Sequence, residues 1–295
     1  MTARAATAPA VAVAAVATMT APGPDRGRLV HVEHVMGTAL SIHVRAPLPD
    51  AGAIEAACAV LHDIDRRFSL YRPESELSRL ARGEIEEAGL SPDVRWVLAA
   101  CDDLARTSGG AFDARHHRAD GVVDPSGFVK GWAVEEAARC LDDAGARNYV
   151  IAAGGDILAR GESAPGRAWR VGVRHPGDPT GVIAVLAVRD GAVATSGCYE
   201  RGAHIRDPRT AAVPHELVGL TVVGPSIAWA DAYATGAFAM GLEGLAWVHG
   251  HTGYGALAVT SDERVTWTPL VEERLVRETR GEPPLSGSSH LAGVS

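Results

Sequence analysis

The sequence predicts an α/β chain of the α+β kind, with mixed sheets and helices packed on them. Three observations carry that expectation. Leu40, Ile42 and Val44 alternate with Ser41, His43 and Arg45, the two-residue period of a half-buried strand. Over residues 50–68, Ile54, Ala57, Cys58, Leu61, Ile64 and Phe68 recur at helical spacing. The remaining chain repeats that mixture, with short apolar runs closed by Gly, Pro or Asp turns and longer amphipathic stretches between them.

In chain order, residues 29–35 and 39–44 read as two strands around Met36-Gly37-Thr38, with Met36 at the bend read as core filler. The helix over 50–68 cannot pass Pro73, which leaves Ser69 and Tyr71 on an exposed loop. Ser75 and Glu76 start a short helix. Residues 91–108 form another, with Ser91 as N-cap, Pro92 at the first helical position and Gly109-Gly110 as terminator. Ala111-Phe112-Asp113 follows, a carboxylate directly after a buried-looking aromatic. In VVDPSGFVKG, Asp124 precedes a turn at Pro125-Ser126-Gly127, and Lys130-Gly131 opens a helix reaching residue 144. A helix start with glycines and a lysine suits anionic oxygen, although the spacing is not that of a Walker A loop.

Residues 149–161 read strand, turn, strand; Gly154-Gly155-Asp156 suits positive φ and close backbone approach, and a plain hairpin turn explains it better than a functional turn does. Residues 169–175 and 182–188 look like a hairpin. Residues 217–223 form a strand and 228–242 a helix, and 255–260 with 265–268 make a last strand pair. Asp231 and Thr235 stand four apart on the helix and share a face. That pair can hold a hard divalent cation by oxygen ligation; an N-cap Asp with a helix-bonded Thr is the stronger reading from this stretch alone.

The densest polar stretch is 192–210, AVATSGCYERGAHIRDPRT. A short apolar strand gives way to Thr195-Ser196-Gly197, and then to Tyr199, Glu200, Arg201, His204, Arg206, Asp207 and Arg209. Such a mixture suits a site on a rigid scaffold; a solvated loop with ordinary ion pairs reads equally from this segment alone. Composition narrows the rest. The 295 residues are 46% hydrophobic and 22% charged, with net charge −8, so no basic face offers itself to nucleic acid. Cys58, Cys101, Cys140 and Cys198 lie far apart, with no C-x-x-C pair and no Cys/His spacing of the zinc-module kind. No segment approaches the roughly 18 consecutive apolar residues of a membrane span. Residues 1–27 read as an Ala/Pro-rich disordered tail with a faint signal-peptide likeness, and 276–295 as a second disordered tail. The folded domain is expected over 28–275. With no cysteine placed to take a lipid anchor, the address expected is cytoplasmic, with an exported or membrane-associated one as the alternative.

The motifs stand in a particular order: Met36-Gly37-Thr38, DRRFSLYRPESELSRL, GAFD, DPSGFVKGWAVE, GGDI, TSGCYER, HIRDPRT and ADAYATGAFAMG. Their sequence, over about residues 30–270, resembles the ApbE family of flavin transferases. The resemblance implies an ApbE-type, T-fold-like architecture with FAD bound in a cleft as substrate. It also implies Mg2+-dependent transfer of FMN from FAD to a threonine or serine hydroxyl, with AMP released. The partner would be an acceptor protein carrying the target residue in an FMN-binding domain. By motif position, the metal ligands would be the Gly127 carbonyl, the Asp231 carboxylate and the Thr235 hydroxyl. Met36, Tyr71, Ala111, Phe112, Asp113, Asp124, Lys130, His204 and Ile205 match positions lining the FAD site. Asp231 and His204 would be the catalytic pair, His204 stacking on flavin or accepting the hydroxyl proton.

Some positions depart from the pattern. Ala81 replaces a usual Asn, Pro125 a Leu, Glu135 an Asp, and Ala211 a Gly, and Ala234 stands where some members carry an acidic residue. None removes a principal ligand. Two other activities stay open from sequence alone: a Mg2+-dependent FAD pyrophosphatase giving FMN and AMP, and a non-catalytic FAD-binding protein.

Overall fold

The computed structural model describes residues 27–277 except 48, 49, 51, 117, 119, 198–206 and 211. The strands are β1 (Arg28–Val35), β2 (Thr38–Arg45), β3 (Tyr149–Ala153), β4 (Asp156–Arg160), β5 (Trp169–His175), β6 (Asp178–Val188), β7 (Gly191–Gly197), β8 (Leu217–Gly224), β9 (Gly255–Thr260) and β10 (Val265–Trp267). Eight of them form one sheet in the order β1-β2-β3-β4-β7-β8-β9-β10, and β5 pairs with β6 in a separate ribbon. Every pairing is antiparallel.

The helices are α1 (Gly52–Phe68), α2 (Glu76–Ala81), α3 (Pro92–Thr107), α4 (Ser126–Asp143), α5 (Ile227–Met240), α6 (Glu243–His249) and α7 (Pro269–Arg274). The first four interrupt the sheet between β2 and β3; α1 and α4 pack on it, with α2 against α1 and α3 against α4. Alternation along the central strands supplies two cores. Ile151, Leu158, Ala192, Ala194, Val222, Ala256 and Ala258 face the helices. Val150, Ile157, Val193, Val223, Leu257 and Val259 face the β5–β6 ribbon, where Trp169, Val171 and Leu186 meet them. With both faces covered, the central strands lose the apolar/polar alternation that marks β2. Alanines on the helix side let α5 lie close to the sheet.

α1 buries Ile54, Ala57, Cys58, Leu61, Ile64 and Phe68, the stripe read from its spacing. α3 stops at two glycines with positive φ, Gly109 (60°) and Gly110 (85°). Ser91 holds the N-cap position of α3, but its side chain accepts no capping bond; its N–H instead donates to Glu76 Oε2 at 2.6 Å. α4 starts earlier than the sequence suggests. Asp124 Oδ1 accepts the Ser126 N–H at 3.0 Å, and the Pro125 carbonyl accepts from Phe128 and Val129, so helix begins at Ser126 and not at Lys130. Gly127 and Lys130 therefore occupy the opening turns. β7 likewise runs on through Thr195-Ser196-Gly197, where a loop was expected, because all three pair with β8.

α4 and α5 cross at Gly131. A Cβ there would fall 2.6 Å from the Ile227 carbonyl oxygen and 2.7 Å from Ala228 Cα, so only glycine allows this approach. The crossing sets Lys130 of α4 beside α5.

Candidate active site

Four parts of the chain close around one cleft of about 760 Å3: the β1–β2 turn, the loop after α1, the stretch from Ala111 to the start of α4, and the contact of α5 with β7. Met36, Tyr71, Ala111, Phe112, Asp113, Asp124, Gly127, Lys130, Asp231 and Thr235 all line it. His204 and Ile205 lie outside the described residues.

Met36 occupies a turn with φ of +55°, followed by Gly37 at +71°. A left-handed conformation in a non-glycine residue costs roughly 1–2 kcal/mol, and here the methionine both packs against the core, as its position at the bend suggests, and lines the cleft. Tyr71 stands almost fully exposed at the rim, as the helix stop before Pro73 suggests. Gly154 (56°) and Gly155 (97°) make the two-residue β3–β4 turn, and Gly154 also lines the cleft.

The floor is polar and paired. Asp231 is the one charged residue of α5, a helix buried on nearly every side. It is not an N-cap: Ser226 holds that position, its hydroxyl accepting the Trp229 N–H, and Asp231 lies one turn further in. Asp231 is 5% exposed, and a carboxylate is desolvated at such a place only with compensation. Lys130 Nζ supplies it, 3.5 Å from Asp231 Oδ2 and 2.5 Å from Asp156 Oδ2. Asp156 is also held by the Thr195 N–H at 3.0 Å. Thr235, one turn beyond Asp231, meets the Ser196 hydroxyl at 3.3 Å. A Cβ on Gly127 would come 3.7 Å from Thr235 Oγ1 and 3.1 Å from the Phe112 ring, so α4 approaches this spot as closely as its side chains permit.

Near the mouth, burial pushes the Asp113 carboxyl upward, but the Arg115 and His116 N–H groups and the His116 ring outweigh it and hold Asp113 below the usual range. Asp207 behaves alike: burial raises it, and the Arg209 guanidinium and N–H bring it down further. Both stay ionised near neutrality.

Asp156 and Ser196 are among the residues at the site that the sequence reading gives no role there, naming them only within a turn and a polar stretch. Gly154-Gly155-Asp156 read as a turn, and the signal that would have identified Asp156 is its ion pair with Lys130, 26 positions away. The donors around Asp231 are hard: a carboxylate, the hydroxyls of Thr235 and Ser196, and the Gly127 backbone. Two buried carboxylates against one ammonium leave one net negative charge. That set fits Mg2+, which prefers oxygen ligands and few carboxylates.

Comparison with known proteins bears on the family and the fold. A family model described as the ApbE family matches residues 36–120 and 114–258. The FAD:protein FMN transferase of Haemophilus influenzae is 34% identical over 246 residues, covering 62% of this chain and 71% of that protein. The protein of the same description from Escherichia coli K12 is 31% identical over 172 residues, so the chain spans about half (49%) of that relative. A solved flavin transferase ApbE from Vibrio cholerae superposes with a TM-score of 0.75 at 23% identity, covering 84% of this chain and 99% of that one. At that identity the likeness speaks for the fold.

Proposed function

Because this chain belongs to the ApbE family, we propose that it transfers the FMN moiety of FAD to a threonine or serine hydroxyl of an acceptor flavoprotein, releasing AMP. The observation that carries the reading is the buried Asp231, one turn from the partly buried Thr235 and tied to Lys130 at the floor of a cleft lined by every described position that the resemblance assigns to FAD. Residues 28–275 would carry the activity.

The reaction breaks the FAD pyrophosphate bond on the FMN side and forms a phosphoester between that phosphorus and the acceptor oxygen. AMP leaves, and the hydroxyl proton passes to a base, for which His204 is the candidate. Such displacements depend on in-line placement and neutralised oxygen charge rather than on a protein nucleophile. A bound Mg2+ would supply Lewis-acid neutralisation at the pyrophosphate. Gly127, Asp231 and Thr235 would hold it, with Ser196 orienting Thr235. Lys130 offsets the charge of the Asp231 carboxylate and adds a fixed positive charge beside the phosphates. Tyr71 and Met36 offer an aromatic face and a polarisable side chain at the rim, where a flavin ring can lie.

The deciding experiment is mass spectrometry of an FMN-binding-domain acceptor incubated with this protein, FAD and Mg2+. A gain of one FMN on a threonine, abolished by EDTA, supports the transferase. Free FMN and AMP beside an unmodified acceptor would replace it with a pyrophosphatase, and unconsumed FAD with a binding protein.

A further inference from the structure

A second cluster of ligating side chains lies between β1 and α1, and none of its members lines the cleft. His31 and Glu33, two apart on β1, project to one face; Cys58 and His62, four apart on α1, share a helical face. Glu33 stands between two imidazoles, with His31 Nε2 3.1 Å from Oε2 and His62 Nε2 3.1 Å from Oε1. Cys58 Sγ lies 3.3 Å from His31 Nε2. The ligand atoms of His31, Glu33 and Cys58 all fall within 4.8 Å of one another.

We propose that His31 Nε2, a Glu33 oxygen and the Cys58 thiolate bind a borderline divalent transition metal of the zinc type, with His62 holding the carboxylate from its other oxygen. Bonds of roughly 2.0–2.3 Å in a tetrahedral site place ligand atoms about 3.4–3.6 Å apart. The observed 3.1 and 3.3 Å separations need to open by only a few tenths of an ångström. Mixed nitrogen, sulfur and oxygen donors select zinc-type ions over Mg2+, so this site and the all-oxygen floor of the cleft sort different metals. His62 plays the orienting part that outer hydrogen bonds play for metal ligands. Its exposure, and the half-buried state of His31 and Glu33, leave a way in from solvent, while Cys58 forms the buried base. Binding replaces the Sγ–H bond by an Sγ–metal bond and releases that proton to water, with no change of oxidation state. Reading for paired cysteines passes over the pattern: one thiol contributes, and its partners are split between a strand and a helix.

The test strips the full-length protein with EDTA and adds one equivalent of Co2+. A thiolate-to-cobalt charge-transfer band in the near ultraviolet is expected, removed by Zn2+, absent in Cys58→Ser and intact in Cys140→Ser and in Asp231→Ala. His31→Ala and Glu33→Gln should weaken Zn2+, measured against a chromophoric chelator, by at least ~10-fold, and His62→Ala by roughly 10-fold. No band in the wild-type protein, or a band that survives in folded Cys58→Ser, overturns the site. Should Cys58→Ser not fold, Zn2+ affinity unchanged in both His31→Ala and Glu33→Gln does the same.

Discussion

Asp231 shows how much one side chain rests on its surroundings. Its carboxylate is buried on an otherwise apolar helix, held one turn from Thr235 and balanced by an ammonium that also serves Asp156. Replacing it by Ala should lower flavin transfer by roughly 10²–10³-fold, the usual loss of a preorganised charge partner, while FAD titration still detects binding. Full metal-dependent transfer by Asp231→Ala would remove it from the centre. His43 on β2 gives a residue-scale prediction about stability. Burial, then the Arg28 and Arg45 guanidinium groups, hold its imidazole below the ordinary 6.5. The native state thus disfavours the proton that the unfolded chain accepts, and the linked stability is present above pH 6.5 and lost as pH falls below it. Urea midpoints of His43→Gln should fall less than those of the wild-type protein between pH 7 and pH 5; parallel curves would refute the assignment. At this scale the sequence is most legible where chemistry is local: Asp231, Thr235, Lys130 and Asp124 carry it in their own motifs. Asp156 and Ser196 do not, since their roles exist only once β4, β7, α4 and α5 meet.

At the scale of elements, the site depends on two helices crossing almost backbone to backbone. Gly131→Ala would drive a methyl group into the Ile227–Ala228 backbone, which cannot swing aside as a side chain does. A loss of roughly 1–3 kcal/mol is expected from such overpacking. Because Lys130 is the preceding residue, transfer activity should fall further than stability alone explains. Denaturant unfolding beside single-turnover transfer checks this; equal stability and activity would show that the helices part without cost. The start of α4 was misplaced by four residues because an Asp-Pro-Ser-Gly string carries turn chemistry, whereas here Asp124 uses it to start the helix. The apolar helices were plain from spacing. Strand ends were less so, since pairing with a neighbour decides whether Thr195-Ser196-Gly197 is strand or loop.

For the whole molecule, the central sheet is a shared wall with a core on each side. No residue of the ribbon on the far side lines the cleft, yet the ribbon buries Val150, Ile157, Val193 and Val223, which stand next along the strands to residues facing α5. Trp169 anchors it, 3% exposed and donating its indole N–H to the Arg160 carbonyl at 2.9 Å. Trp169→Ala should cost about 3–5 kcal/mol, lowering the thermal midpoint while leaving the per-molecule transfer rate of the folded fraction close to that of the parent. A selective loss of rate without loss of stability would place the ribbon in the reaction itself. The alternation that makes this two-sided wall was readable in β2, where one face is solvated, and hidden in the central strands, where both faces are apolar.

The cleft draws on the chain from Met36 to Thr235, and this has a bearing on how the protein is born. A ribosome delivers the rim first and the carboxylate floor last. Until α5 has emerged and docked on β7 and β8, Lys130 and Asp156 have no third member, and the floor of the cleft lacks its Asp231. Long-range pairing of this kind forms late in folding. A chain that has not yet made α5 therefore has no complete floor; the site becomes whole in one step, when α5 docks.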